Sequence, residues 1–115
     1  VEFSRRDIEA LEEWAKKPSE TFYEHDDIET IIDKSKNVRF DRYSAINIKP
    51  SETIEFRIFR GTLKASTILA SIQFVDTLID YVQTHTLEEV FQATFKEIVK
   101  SDFVELNEYL IERGL

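Results

Sequence analysis

The residues best equipped for chemistry lie close together in the chain: Arg39, Arg42, Asn47, Glu55, Arg57 and Arg60. The stretch Thr53-Ile-Glu-Phe-Arg-Ile-Phe-Arg-Gly-Thr-Leu63 reads as a strand that ends at Gly61. Alternate residues of a strand share a face, so Glu55 and Arg57 project together. Ile54, Phe56 and Ile58 then form an apolar face predicted to be buried. Arginine carries a planar fork of donors matched to phosphate and carboxylate. Glu55 among the arginines offers oxygen to a hard cation such as Mg²⁺, or neutralises its neighbours. A cluster of arginines on a chain of net charge −8 is a local reversal of sign, and an anionic ligand would go there. The same pattern suits an ion pair on a wet sheet face, and the residues alone leave both readings open.

Other chemistry is poorly supported. His25 and His85 have no metal-ligating partners at useful spacing and read as surface histidines, His85 at a helix end that favours a cation. With Gly61 and Gly114 as its only glycines the chain cannot build a Gly-rich phosphate loop. No Ser-His-Asp or Cys-His arrangement is suggested. Glu9, Glu12, Glu13, Glu29, Glu88, Glu89, Glu97, Glu105 and Glu108 are spread along helical segments and read as solvation.

The elements that must position the cluster follow from periodicity. Ser4 and Asp7 open a helix carrying Ile8, Leu11, Trp14 and Ala15, which stops before Pro18. Asp26 caps a second, with Ile28, Ile31 and Ile32, leaving around Ser35-Lys-Asn37. Residues 39–49 form a first strand, strongest in Tyr43–Ile48. The short turn Pro50-Ser-Glu52 and the strand Thr53–Arg60 complete an antiparallel hairpin. A long helix runs from about Lys64 to Gln83, with a predicted buried stripe of Ile68, Ile72, Val75, Leu78, Ile79 and Val82, broadened by Leu69 and Phe74. Thr86 and Glu89 form a capping box for a helix carrying Val90, Phe91, Phe95, Ile98 and Val99. Ser101 is the expected cap of a last helix with Phe103, Leu106, Tyr109 and Leu110, closed by Gly114. The expected fold class is α+β: an antiparallel hairpin packed by several helices, in one domain over 1–115 (1–37 helical, 38–60 hairpin, 64–113 helical).

The 115 residues suit one small domain, and 42% hydrophobic content with nine Phe and four Tyr is enough for a core. A net charge of −8 disfavours nucleic acid and anionic membranes as partners. With no Cys there is no disulfide framework and no thiolate metal site. No apolar run approaches the length of a membrane span and no signal peptide is visible, which leaves a cytoplasmic setting by elimination. The chain starts at Val1 and contains no Met, so the expectation is a piece of a longer protein.

Arg42-Tyr-Ser-Ala-Ile-Asn47, then Thr53–Leu63 and a helix of the Ile-Leu-Ala-Ser-Ile-Gln-Phe-Val type, resemble the C-terminal part of the amidoligase family. That family is a phage- and bacteria-associated branch of the carboxylate–amine ligases with a glutamine synthetase-like fold. The resemblance covers residues 38–82, and glutamine synthetases show a similar E-x-R strand followed by a helix. It implies ATP-dependent amide formation: ATP phosphorylates a carboxylate, and an amine of a small molecule or peptide attacks the acyl phosphate. By that likeness Glu55 is a Mg²⁺ ligand, Arg57 and Arg60 are catalytic arginines, and Arg42 and Asn47 contact substrate or phosphate. Strict alternation turns Arg60 with Ile58, unless Gly61 lets the strand end re-aim it. The chain departs from the family in having no earlier acidic strand, so the expectation is a C-terminal portion, inactive alone. A non-catalytic interaction module that kept the fold is the alternative. A sheet with an open edge also suits self-association.

Overall fold

The computed structural model describes Phe3, Glu9, Glu29, Thr30, Asp33 and residues 45–115. The chain divides into two units, Val1–Arg60 and Gly61–Leu115.

In the first unit, strand β1 (Ile46–Asn47) pairs antiparallel with β2 (Glu55–Phe56). Ile46 lies opposite Phe56 and Asn47 opposite Glu55. The Arg57 N–H donates to the Ala45 carbonyl at 2.8 Å and carries the pairing one residue further. The chain bends at residues 50–52, as the Pro-Ser-Glu turn predicts. The hairpin is therefore present, but among the described residues its regular part is shorter than expected: within 45–49 and 53–60 only Ile46–Asn47 and Glu55–Phe56 are strand. Its apolar face is also wetter than expected. Ile54 is 57% exposed and Ile46 46% exposed, while Phe56 and Ile58 are half-buried. A ribbon this short offers few ladder bonds and cannot bury a full face by itself. Phe59 makes an edge-on contact with Phe3, ring centres 6.0 Å apart. Glu9, Glu29, Thr30 and Asp33 are helical. The remainder of the predicted helices over 4–17 and 26–35, His25 and the start of the first strand lie outside the described residues.

The second unit is helical: α1 (Ala65–Thr84), α2 (Leu87–Gln92), α3 (Phe95–Ile98) and α4 (Val104–Glu112). At 20 residues, α1 is about 30 Å long. It packs chiefly on α4. Two contacts fix the packing as antiparallel. Lys64, at the start of α1, pairs with Glu112 at the end of α4 (3.5 Å). Gln73, midway along α1, bonds to Glu105 and Leu106 at the start of α4.

The buried face of α1 differs from the predicted stripe. Thr67, Ala70, Phe74 and Thr77 are buried, against Leu106, Tyr109 and Leu110 of α4. Ala70 and Leu106 are fully buried. Of the predicted stripe, Ile68, Leu69, Ile72, Ile79 and Val82 are all exposed, and only Phe74 is buried. The reason is steric. Small side chains on α1 let α4 approach closely, and the bulk comes from α4 and from Phe74, whose ring lies 6.2 Å from that of Phe95.

The helix predicted around Val90–Val99 is two helices. Thr86 caps α2 as expected, with its hydroxyl accepting from the Glu89 N–H (3.3 Å) and its own N–H donating to the Glu89 carboxylate (2.7 Å). Thr94 and Glu97 repeat the same box at the start of α3 (2.7 and 3.4 Å), which breaks the chain at Ala93. Ser101 does not cap α4. The N-cap is Phe103, which lacks a side-chain cap bond. Gly114 closes α4 as predicted, at φ +70°. The Gly114 N–H donates to Ile111 and the Leu115 N–H to Leu110, satisfying two terminal carbonyls.

Candidate functional site

Three of the predicted site residues meet on one face of the ribbon. The observed register places Ala45, Asn47, Glu55 and Arg57 on the same face, because directly opposed pairs point the same way. Asn47 Nδ2 donates to Glu55 Oε2 at 3.0 Å. Asn47 Oδ1 accepts from the Lys49 N–H at 3.1 Å, which locks the amide orientation. Arg57 Nε lies 3.7 Å from Glu55 Oε1. That distance makes a loose ion pair, longer than a charge-assisted hydrogen bond. Ala45 sits across from Arg57 in this register.

The Glu55 side chain is 49% exposed and that of Arg57 26%. Neither is sealed beneath another element. A carboxylate has about four lone-pair sites, so Glu55 keeps acceptor capacity beyond Asn47 and Arg57. The arrangement holds one exposed carboxylate in a fixed orientation beside one half-buried guanidinium, which suits a ligand carrying both anionic oxygens and a cation.

Arg60 is exposed and lies past the end of the paired residues. Arg42, like Arg39, is outside the described residues. Among the described residues, no cluster of three or more His, Asp or Glu side chains is arranged to hold a metal ion. Glu55 provides a single carboxylate. Mg²⁺ is commonly held through one or two protein carboxylates, with phosphate oxygens and water completing its shell. One carboxylate fits a share of such a shell and not the whole of it.

His85 ends α1 with its ring stacked on Tyr81 (centres 3.9 Å apart, 10° between planes) and Nδ1 2.9 Å from the Tyr81 carbonyl oxygen. This ring serves the helix terminus, in keeping with the surface role predicted for it.

Sequence reading left two polar arrangements unnoticed. Gln73 acts on α4 from outside it: its Oε1 accepts from the Leu106 N–H (2.9 Å) and its Nε2 donates to Glu105 (2.7 Å). No local motif signals a cap delivered from another helix. The Thr94–Glu97 box did carry a signal, the same T-x-x-E spacing as Thr86–Glu89. In all three cases a hydrogen bond to the ionised form holds the acid below its usual range: Thr86 for Glu89, Thr94 for Glu97 and Gln73 for Glu105.

No family model, curated protein or solved structure matches the chain. Among the described residues, no helix is long and apolar enough to cross a membrane.

Proposed function

We propose that the chain belongs to an ATP-dependent carboxylate–amine ligase of the amidoligase type, with a glutamine synthetase-like relationship, and supplies part of its active site. The supporting observation is the Glu55 carboxylate, oriented by Asn47 beside Arg57 on an open face. In this reading Glu55 binds Mg²⁺ together with acids from elsewhere in the enzyme. Arg57 steadies the carboxylate substrate or the phosphoryl group, where a guanidinium offsets accumulating negative charge. Asn47 contacts substrate or phosphate and also fixes the orientation of Glu55. Arg60 and Arg42 add positive charge for ATP.

The test is Mg²⁺-dependent ATP hydrolysis by the full-length protein across a panel of amino acids and peptides, in the wild type and in Glu55→Gln and Arg57→Lys. The proposal expects carboxylate-stimulated turnover, lost in Glu55→Gln and at least about tenfold lower in Arg57→Lys, which keeps the charge and loses the fork. Wild-type rates in Glu55→Gln would sink it.

A second reading, a protein-interaction module that retains the fold without the chemistry, is favoured by a different observation. The long helix α1 exposes Ile68, Leu69, Ile72, Ile79 and Val82. Calorimetry with Mg-ATP separates the two readings, since the module alone has no reason to bind nucleotide.

A further inference from the structure

The apolar residues exposed on α1 are regularly spaced. Ile68, Ile72, Val75, Ile79 and Val82 follow one another at intervals of four, three, four and three residues. That is the spacing of a coiled-coil seam, which keeps one edge of a helix facing a partner helix over its whole length. Four of the five are exposed, from 40% at Ile79 to 60% at Ile72, and Val75 is half-buried. All five are β-branched, so they lose little side-chain freedom when packed. The face that packs on α4 is a different one, through Thr67, Ala70, Phe74 and Thr77, so the seam is not consumed by the core of this unit.

Charge decides what fits there. Asp76 and Asp80 are both exposed and border the seam on one side, and α1 contains no Lys or Arg. A helix that lies on an anionic membrane carries basic residues beside its apolar face, and α1 carries acids. A second copy of α1 packed antiparallel about Val75 would bring the acids of both helices to the same flank of the pair. A parallel copy would set Asp76 and Asp80 against the uncharged flank of Ser71 and Leu78 on its partner. In neither case does α1 offer a base to pair with them. Flanking charges of this kind set partner choice in helix pairing. We infer that the Ile68–Val82 seam of α1 docks an amphipathic helix of another protein that carries Lys or Arg beside its apolar stripe. This deepens the interaction reading and rests on it, independently of ligase chemistry.

The probe is a synthetic amphipathic peptide with Leu at its seam positions and Lys on its flanks, together with a twin carrying Glu in place of Lys. Fluorescence anisotropy measures both against the full chain. The Lys peptide is expected to bind at least about tenfold more tightly than the Glu peptide. Ile72→Asp should weaken it by a similar factor while circular dichroism shows the helices intact. Asp76→Lys/Asp80→Lys, which leaves the core untouched, should turn the preference toward the Glu peptide. Asp102→Lys/Glu108→Lys makes the same change in net charge at exposed acids outside α1 and should preserve the preference for Lys.

Equal affinity for the two peptides, or a preference reversed equally by both double variants, overturns the inference. So does binding unaffected by Ile72→Asp. Sedimentation showing a wild-type dimer that Ile72→Asp dissociates would assign the seam to a second copy, and co-sedimentation with phosphatidylserine vesicles lost in that variant would assign it to a membrane. Either outcome overturns the basic-helix partner; the dimer leaves the protein-interaction reading standing, whereas the membrane outcome takes away the observation that favours it.

Discussion

Gln73 accepts a hydrogen bond from the Leu106 N–H at 2.9 Å, so the middle of one helix caps the start of another. The first N–H groups of α4 have no partner within that helix, and Phe103 at the N-cap has no side chain to offer them. Gln73→Ala removes the acceptor from a partly buried position. The loss of one cap predicts a destabilisation of about 1–2 kcal/mol. Urea unfolding followed by circular dichroism measures it, and a change within error would show that water replaces the amide.

Asn47 and Glu55 form the cross-strand pair at the centre of the candidate site. Both are accessible to solvent, so the bond between them adds modestly to stability. A double-mutant cycle with Asn47→Ala and Glu55→Ala should give a coupling of about 0.5 kcal/mol, within the range of cross-strand pairs. The functional effect should be larger than the structural one. In the proposed ligase, Asn47→Ala frees Glu55 to turn and should raise the Mg²⁺ concentration needed for half-maximal ATP turnover, with folding intact. An unchanged Mg²⁺ requirement would show that the amide has no part in orienting the carboxylate.

The ribbon and the long helix were legible because they rest on local signals. A Pro-Ser-Glu turn between alternating stretches, an unbroken apolar period after Lys64, a T-x-x-E box at Thr86 and the terminal glycine at Gly114 each act within a few residues. The shared face of Glu55 and Arg57 follows from strand geometry alone. Which face of α1 would be buried was not legible. Periodicity marks Ile68, Ile72 and Ile79 as the apolar side, yet burial is decided by the helix that packs there. Thr67, Ala70 and Thr77 admit α4 closely because they are small, a property that hydrophobicity does not rank. The partner of Asn47 was hidden for a related reason, since it depends on a register that pairs position 47 with 55 across the turn.

That inversion makes Phe74 and Ile72 an informative pair. They are two residues apart on the same helix, one 7% exposed and the other 60%. Phe74→Ala leaves a cavity beside Phe95 and should cost about 3–5 kcal/mol. Ile72→Ala removes surface that is already wet and should stay within about 0.5 kcal/mol. Chemical denaturation of the two variants distinguishes this core from the one periodicity suggests. Equal costs would mean that the Ile72 face is covered in the monomer.

Stability should also respond to acid in a defined direction. Glu89, Glu97 and Glu105 all sit below their ordinary value of 4.5 in the folded chain. For Glu89 the leading cause is the bond from the Thr86 backbone N–H, aided by the Thr86 hydroxyl and by His85; for Glu97 it is the Thr94 hydroxyl, and for Glu105 the Gln73 amide. A carboxyl whose folded pKa is depressed stabilises the fold fully above its unfolded pKa. That contribution is lost as pH falls through the folded value. The three bonds are therefore complete at neutral pH and fail progressively below about 4.5, first by protonation in the unfolded chain and then in the folded one. Glu89→Gln and Glu97→Gln keep an acceptor for each threonine but no longer titrate. The double variant should melt at a slightly lower temperature than wild type at pH 7, and its melting temperature should fall less steeply between pH 5 and 3. Calorimetric scans across that range read both slopes. Parallel slopes would show that the two capping boxes survive protonation and that acid unfolding begins elsewhere in the chain.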